Sequence, residues 1–285
     1  MKLALLPNLT RENALEISLE VCRELDNLNT PYIFSLDDEE IFKATRAEFL
    51  PFEKMLECCD ALITIGGDGT IIHAAKKAAE FGKPVLGINA GRLAFMAGLE
   101  RSELKLLNCL VSGSYTVDKR MLLRAQIMRG EELLASNCCV NDTVISKSGK
   151  MKIVELSVDC NGKHINNYTG DGIIIATPTG STAYSLSAGG PVVDPLLDSI
   201  LLTPVCTHSL FIRSLILKAD STFTVRAVPG SEFSVSCDGE EPVAVPDDCS
   251  VIVGKAEISA EFIRIKPDTF IDVLNRKLAQ WQDLG

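Results

Sequence analysis

The sequence lacks the features that mark proteins of membranes, secretion and nucleic acids. Its 38 Asp and Glu outnumber its 28 Lys and Arg, and the net charge of −10 argues against a surface that binds nucleic acid or an anionic membrane. No stretch approaches the roughly 20 apolar residues that a membrane-spanning helix needs. The apolar start, residues 1–7, is too short for a signal peptide. We therefore expect a cytoplasmic protein without a nucleic-acid or membrane partner.

Metal-binding, disulfide and common nucleotide-binding patterns are also missing. The three histidines have no metal-ligand spacing, and the ten cysteines include no C-x-x-C pair. A disulfide framework belongs to small secreted chains, whereas 285 residues can bury a large core. The chain has neither a Lys-containing P-loop nor the G-x-G-x-x-G fingerprint. We therefore interpret the cysteines as reduced and mostly buried, and expect neither a Walker ATPase nor a Rossmann dehydrogenase.

Hydrophobic patterning divides the chain into two parts. Apolar runs at 2–6, 31–34, 61–65 and 84–88 predict strands, and helical spacing of apolar residues after Thr10 and over 71–81 predicts helices between them. Alternating strands and helices predict a parallel sheet covered by helices. After about residue 115 apolar and polar residues alternate between Gly and Asp turns, which predicts a β-rich region. A helix is predicted over 269–281, capped by Asp268.

These patterns predict a fold of class α/β plus β. Residues 1–100 are expected to form an N-terminal Rossmann-like α/β domain, and residues 101–266 a β-rich domain. Residues 267–285 are expected to form a C-terminal helix that packs back on the first domain.

The string Gly66-Gly67-Asp68-Gly69-Thr70 lies where a predicted strand turns into a helix. Glycines let a ligand approach the backbone, and a helix N-terminus offers unpaired N–H groups with a partial positive charge, so the string suits phosphate. A carboxylate at this position would repel phosphate, so we expect Asp68 to have a task other than phosphate binding. Asp68 either accepts a proton from an attacking hydroxyl or holds Mg²⁺ against the donor phosphates. The alternative is an ordinary Asp-Gly turn.

Two further stretches carry ligand-binding chemistry. Residues 170–172, Gly-Asp-Gly, precede an apolar strand. Residues 177–191 follow that strand and contain six Ser or Thr and one Tyr. The hydroxyl groups suit hydrogen bonds to ribose and phosphate oxygens, and the Tyr suits contact with a base. Asn141-Asp142 offers an amide beside a carboxylate, which suits a sugar diol or a carboxamide. The alternative for residues 177–191 is a Ser/Thr-rich loop with an ordinary helix cap. The alternative for Asn141-Asp142 is a plain turn between two strands.

The three motifs, in this order and spacing, closely resemble the NAD kinases. The Gly-Gly-Asp-Gly-Thr string alone is less specific, because diacylglycerol-type and sphingosine kinases share it and phosphofructokinases have a close relative of it. The run Thr-Pro-Thr-Gly-Ser-Thr-Ala-Tyr-Ser-Leu-Ser-Ala-Gly-Gly-Pro over residues 177–191 is the specific part. The resemblance extends from the first strand to the final helix.

The resemblance implies phosphoryl transfer from ATP to the 2′-hydroxyl of the adenosine ribose of NAD, giving NADP. It implies Asp68 as the general base, a divalent metal, Mg²⁺, as cofactor, and a homodimer or homotetramer. No protein residue is assigned as a metal ligand. The residues expected to bind NAD or ATP are Gly66, Gly67, Gly69, Thr70, His73, Asn141, Asp142, Lys152, Thr169, Asp171, Thr182, Ala183, Tyr184, Ser185, Leu186, Ser187 and Glu240.

The sequence departs from the family pattern at three positions. Asp142 stands where Glu is more frequent, Thr169 where Arg is frequent, and Glu240 where Gln is frequent. Two rival functions remain open at this point: a lipid kinase that shares the first motif, and a non-catalytic dinucleotide sensor that uses the same pocket without needing Asp68.

Overall fold

The computed structural model describes residues 1–91, 94–148, 153–207 and 213–282, with the side chains of the last helix described as far as Arg276. The chain folds into two compact units, residues 1–119 together with 260–285, and residues 120–259. Both changes of unit fall inside long strands, Thr116–Arg129 and Ser250–Arg264. No helix within the described residues combines the length and the apolar character needed to cross a membrane.

The first unit is an α/β unit, as its alternating pattern predicts. Its described residues form the following strands and α-helices: β1 Leu3–Pro7, α1 Ala14–Asn27, β2 Tyr32–Ser35, α2 Glu39–Phe42, β3 Glu48–Leu50, α3 Phe52–Cys58, β4 Ala61–Gly66, α4 Asp68–Glu80, β5 Val85–Asn89, β6 Leu99–Glu100, α5 Leu107–Ser112 and, at the C-terminus, α7 Phe270–Gln282.

The sheet of this unit is parallel, with strand order β3-β2-β1-β4-β5. The order reverses beside β1, because the chain continues from β1 to β2 on one side and returns to β4 on the other. In open parallel sheets of this kind, ligands bind outside the carboxyl ends of the strands at the point of reversal. Pro7 and Gly66 end the two strands that meet there.

Residues 101–119 belong to the first unit, whereas the sequence pattern placed the domain boundary at residue 100. Leu104, Leu107 and Leu110 are buried in the same core as helix α1, which ties this segment to the first unit. Residues 260–266 also belong there, since Phe262 pairs in parallel with Val85 of β5.

The C-terminal helix α7 lies in the first unit, as expected. Its cap differs from the predicted one. Thr269 and Asp272 cap each other, with Thr269 N donating to Asp272 Oδ2 at 2.9 Å and Asp272 N donating to Thr269 Oγ1 at 3.3 Å. The Asp268 carboxylate instead accepts a hydrogen bond at 2.6 Å from Arg276, which lies about two helical turns further along the chain.

The second unit is built from strands. It contains β8 Glu132–Cys139, β9 Asp142–Lys147, β10 Val154–Cys160, β11 Lys163–Gly170, β12 Gly172–Ala176, α6 Tyr184–Ser187, β13 Ser199–Val205, β14 Leu215–Lys218, β15 Phe223–Ala227, β16 Phe233–Cys237 and β17 Val243–Val245, together with most of β7 Thr116–Arg129 and β18 Ser250–Arg264.

Two sheets share the core of this unit. One has the order β14-β13-β12-β9-β16-β17 and is antiparallel throughout. The other pairs β11, β10, β15, β18, β7 and β8 in that order. Leu156 and Phe223 of the second sheet are buried in one cluster with Ile175 and Leu202 of the first, which makes this unit a sandwich.

Candidate active site

The Gly-Gly-Asp-Gly-Thr string lies at the carboxyl end of β4. Gly66 ends the strand, Gly67 is the N-cap residue of α4, and Asp68 is the first residue of the helix. The first N–H groups of an α-helix have no partner within it and point along the axis, so this turn presents donors at the reversal point of the sheet. Asn8, which follows β1, donates from Nδ2 to Thr70 Oγ1 at 2.9 Å and joins the ends of β1 and β4.

The three glycines of the string differ in what surrounds them. A Cβ atom at Gly66 would lie 2.5 Å from Thr70 Oγ1, so packing requires glycine at that position. A Cβ atom at Gly67 or at Gly69 would meet no described residue within 4 Å. Packing against the described part of the first unit therefore does not require glycine at these two positions.

The carboxylate of Asp68 is held by the loop that follows β5. Phe95 N donates to Asp68 Oδ2 and Met96 N to Asp68 Oδ1, each at 2.8 Å. Asp68 is half-buried. Each carboxylate oxygen can accept a second hydrogen bond, so the two amides fix the orientation of the group and leave acceptor capacity for a substrate hydroxyl or a cation.

Two open clefts flank the start of α4. One is lined by Gly67 and Asp68 together with Arg11, Glu12, Asn13, Ala90 and Gly91. The other is lined by Gly69, Thr70 and His73 together with residues 6–10 and Asp38. His73 is exposed in this second cleft, so its ring is available to a ligand.

In the second unit, Val140 and Asn141 form the turn between β8 and β9, and Asp142 opens β9. Three successive amides of this turn donate to the Asp238 carboxylate: Val140 N at 2.8 Å, Asn141 N at 2.7 Å and Asp142 N at 3.2 Å. On the other side Thr177 Oγ1 donates to the Val140 carbonyl at 2.6 Å, and Thr177 N to the Asn141 carbonyl at 2.8 Å. The structure thus brings the Asn-Asp pair together with the start of the 177–191 run.

The carboxylate of Asp142 lies in an unfavourable environment for a charge. The residue is 4% exposed, and none of the hydrogen bonds among the described residues reaches its side-chain oxygens. Burial, with a smaller contribution from the negative charge of Asp238, raises the pKa of Asp142 to about 7. A carboxyl group in such a position is suited to receive a ligand that supplies the missing hydrogen bonds.

The 177–191 run folds into a 3₁₀ turn over Thr179–Thr182 and helix α6. A Cβ atom at Gly180 would lie 2.1 Å from the Asn141 carbonyl oxygen, so glycine is required where the run packs on the Asn-Asp turn. Ser185 is buried, and its hydroxyl lies 2.9 Å from Thr203 Oγ1, which ties the run to β13. Thr182, Ala183 and Leu186 are half-buried, and Tyr184 and Ser187 are exposed.

Of the remaining predicted residues of the second unit, Asp171 lies between β11 and β12, and Glu240 lies between β16 and β17. Thr169 is half-buried in β11. Asp171 forms an ion pair with Lys147 at 2.5 Å, and Glu240 accepts from Asn137 Nδ2 at 2.7 Å. Lys152 lies outside the described residues.

The structure also shows the state of the cysteines and the arrangement of the side chains that could bind a metal ion. All ten cysteines are free thiols. Among the residues that the structure describes, no group of three or more His, Cys, Asp or Glu side chains is arranged to hold a metal ion.

Comparison with known proteins decides the family. The ATP-NAD kinase N-terminal domain matches residues 3–115, and the ATP-NAD kinase C-terminal domain matches residues 140–265. An NAD kinase of Acetivibrio thermocellus is 34% identical over 281 residues, which cover 98% of this chain and 97% of that protein. The chain belongs to the ATP-NAD kinase family. An NAD kinase of Symbiobacterium thermophilum is 44% identical over 223 residues, 77% of this chain and 78% of that protein.

Solved structures of ATP-NAD kinases and their relatives share the fold. The chain is similar to yeast NADH kinase complexed with NADH, with a TM-score of 0.87 and 25% identity over 98% of this chain and 87% of that one. It has the fold of an NAD kinase from Archaeoglobus fulgidus in complex with ATP, with a TM-score of 0.72 over 93% and 94% of the two chains. The predicted fold class is confirmed.

Several candidate residues of the site were missed by sequence reasoning. Arg11 lies in the cleft of Asp68, and Asn8 holds Thr70, yet neither stands in a recognisable motif. Phe95 and Met96 contribute backbone amides, which carry no side-chain signal. Asp238 stands in an Asp-Gly turn, and nothing in that turn points to the amides that its carboxylate accepts.

Proposed function

We propose that this chain is an NAD kinase, which transfers the γ-phosphoryl group of ATP to the 2′-hydroxyl of the adenosine ribose of NAD and produces NADP. One observation carries the proposal: a carboxylate, Asp68, is fixed by two backbone amides inside the phosphate-suited first turn of α4. Relatives that are named NAD kinases, at 34% and 44% identity, support the choice of NAD as acceptor.

In the first unit, the donors at the start of α4 bind the phosphates of ATP. Gly67 and Gly69 permit their close approach, and Arg11 supplies a positive charge in the same cleft. Asp68 accepts the proton of the 2′-hydroxyl as its oxygen attacks the γ-phosphorus. A bond forms between the 2′-oxygen and phosphorus, the bond from phosphorus to the β,γ-bridging oxygen breaks, and ADP leaves.

In the second unit, the Asn141-Asp142 turn binds NAD. Its amide and carboxylate provide donors and an acceptor for a ribose diol or a carboxamide, and the buried carboxylate lacks protein partners among the described residues. The exposed and half-buried members of the 177–191 run, Tyr184 above all, supply further contacts to a base or a ribose. Ser185 supports this run from inside, since its hydroxyl is paired with Thr203.

We propose Mg²⁺ as the divalent cofactor, bound with ATP. Mg²⁺ is usually held by one or two carboxylates and substrate phosphates, and not by a cage of protein ligands. When bound, the cation neutralises charge on the phosphates. A cytoplasmic location and a homodimeric or homotetrameric assembly are further parts of the proposal and rest on the resemblance to the family.

The experiment that tests the function is an acceptor comparison. Purified protein is incubated with ATP, Mg²⁺ and, in separate reactions, NAD or diacylglycerol in detergent micelles, and NADP is detected with an NADP-specific dehydrogenase. We expect NADP and no phosphorylated lipid. Phosphorylation of the lipid alone would support a lipid kinase, and tight NAD binding without turnover would support a dinucleotide sensor.

A further inference from the structure

The turn at 140–142 has all of its backbone polar groups satisfied by two residues that are distant in sequence. Asp238 accepts the three N–H groups and, through its own N–H, donates to the Asp142 carbonyl at 3.0 Å. Thr177 donates to the carbonyls of Val140 and Asn141. The backbone polar groups of the turn are therefore satisfied within the protein, without a ligand.

The side chains of the same turn are used differently. Neither the Asn141 amide nor the Asp142 carboxylate takes part in a hydrogen bond among the described residues, although Asp142 is buried. A turn whose backbone is fixed and whose polar side chains remain available has the character of a preorganised recognition element.

Asp238 holds the turn from a backbone conformation that few residues adopt. Its φ angle is +50°, and that of the following Gly239 is +74°, in the hairpin between β16 and β17. Asp and Asn adopt this left-handed conformation more readily than other non-glycine residues. The hairpin thereby directs the Asp238 carboxylate back to the three amides, with Oδ1 accepting two of them and Oδ2 one.

We infer that Asp238 is a positioning residue for NAD. It fixes the amides of the turn so that Asn141 and Asp142 meet the dinucleotide in one orientation, and it acts through the turn, whose three amides donate to its two carboxylate oxygens. The inference rests on the proposed function, in which this turn binds NAD.

Two variants separate positioning from a role in the hairpin alone. Asp238→Asn keeps the left-handed backbone and replaces one acceptor oxygen with an NH₂ group that faces a donor. Asp238→Gly keeps the backbone angle and removes the acceptors altogether. Asp198→Asn is the control, because Asp198 is a carboxylate of the same unit whose side chain is 79% exposed.

The measurements are the NAD dissociation constant by calorimetry without ATP, the KM of each substrate, and amide hydrogen exchange of the peptide that contains residues 140–142. Loss of a charge-assisted hydrogen bond corresponds to roughly tenfold or more in affinity. We expect the dissociation constant and KM for NAD to rise by about that factor in Asp238→Asn and further in Asp238→Gly. The KM for ATP, and kcat at saturating NAD, should stay near wild type, and exchange should rise in this peptide.

Each other outcome contradicts some part of this account. Folded Asp238 variants with unchanged NAD affinity would overturn the positioning role. A fall in kcat with unchanged NAD affinity would assign Asp238 to the reaction itself. If the wild type binds NAD but makes no NADP, the proposed function is overturned, while the comparison of NAD affinities still tests Asp238. If the wild type does not bind NAD, the proposed function and the positioning role of Asp238 are both overturned.

Discussion

The buried carboxylate of Asp142 makes the stability of the protein depend on pH in a way that can be calculated. Its pKa rises from an ordinary value of 3.8 to about 7 in the folded protein. The unfolded chain therefore loses this proton before the folded protein does, so the contribution of Asp142 to stability is present in full below about pH 4 and is lost as the pH rises to about 7. The pKa difference corresponds to a loss on the order of 4 kcal/mol.

Replacing Asp142 with Asn removes the titration and nearly preserves the shape. We expect Asp142→Asn to have a free energy of unfolding close to that of the wild type near pH 4, and to become more stable than the wild type by a few kcal/mol near pH 8. Urea unfolding at a series of pH values, followed by far-ultraviolet circular dichroism, gives this difference directly. Groups that titrate equally in both proteins cancel from it.

Asp198→Asn is the matched control, because the Asp198 carboxylate is 79% exposed and paired with Lys255 at the surface. It should show no comparable gain in stability with rising pH. A stability difference between Asp142→Asn and the wild type that does not change with pH would refute the reasoning, because it would mean that the Asp142 carboxylate is solvated in the folded protein. The stabilised variant should bind NAD more weakly, since it lacks the carboxylate.

Two further substitutions test the phosphate-binding turn. Gly69→Ala should raise the free energy of unfolding by up to about 1 kcal/mol, because alanine favours a helix, while lowering kcat/KM for ATP. Gly66→Ala should lower the free energy of unfolding, because the added Cβ would lie 2.5 Å from Thr70 Oγ1. If urea unfolding shows the same change in stability for both alanine variants, the packing argument is contradicted. Arg11→Gln should raise the KM for ATP and leave that for NAD near wild type, and equal effects on both substrates in steady-state kinetics would remove Arg11 from the phosphate site.

The parallel sheet of the first unit could be predicted from the sequence because its strands are short apolar runs with Gly or Pro beside them. Residues 61–65 are all buried in β4, and the glycines that follow mark its turn into α4. Strand β3, Glu48–Leu50, was not predicted, since three residues with an exposed Glu carry no hydrophobic pattern. Thr10 is not the cap of α1, because it hydrogen-bonds to Asn8 and the helix begins at Ala14.

The candidate site could be predicted only in its pieces. The motifs at 66–70, 141–142 and 177–191 are local in the sequence, and chemistry alone suggests what each could bind. What holds them is distant: the Asp68 carboxylate depends on amides 27 and 28 residues away, and the turn at 140–142 depends on a carboxylate 96 to 98 residues away. A single sequence carries no signal for such pairings, because a backbone N–H is the same at every residue.

The central claim is that Asp68 takes the proton of the attacking 2′-hydroxyl, and Asp68→Asn tests it most directly. In this variant the carboxamide NH₂ would face a backbone N–H donor of the loop at 95–96, which could disturb the site. NAD binding is therefore measured together with the single-turnover rate, to show that the site is intact. We expect NAD to bind nearly as in the wild type, while the rate of NADP formation falls by roughly 10² or more, the usual scale for losing a general base. Retention of more than about a third of the wild-type rate would contradict the assignment of Asp68 as the base.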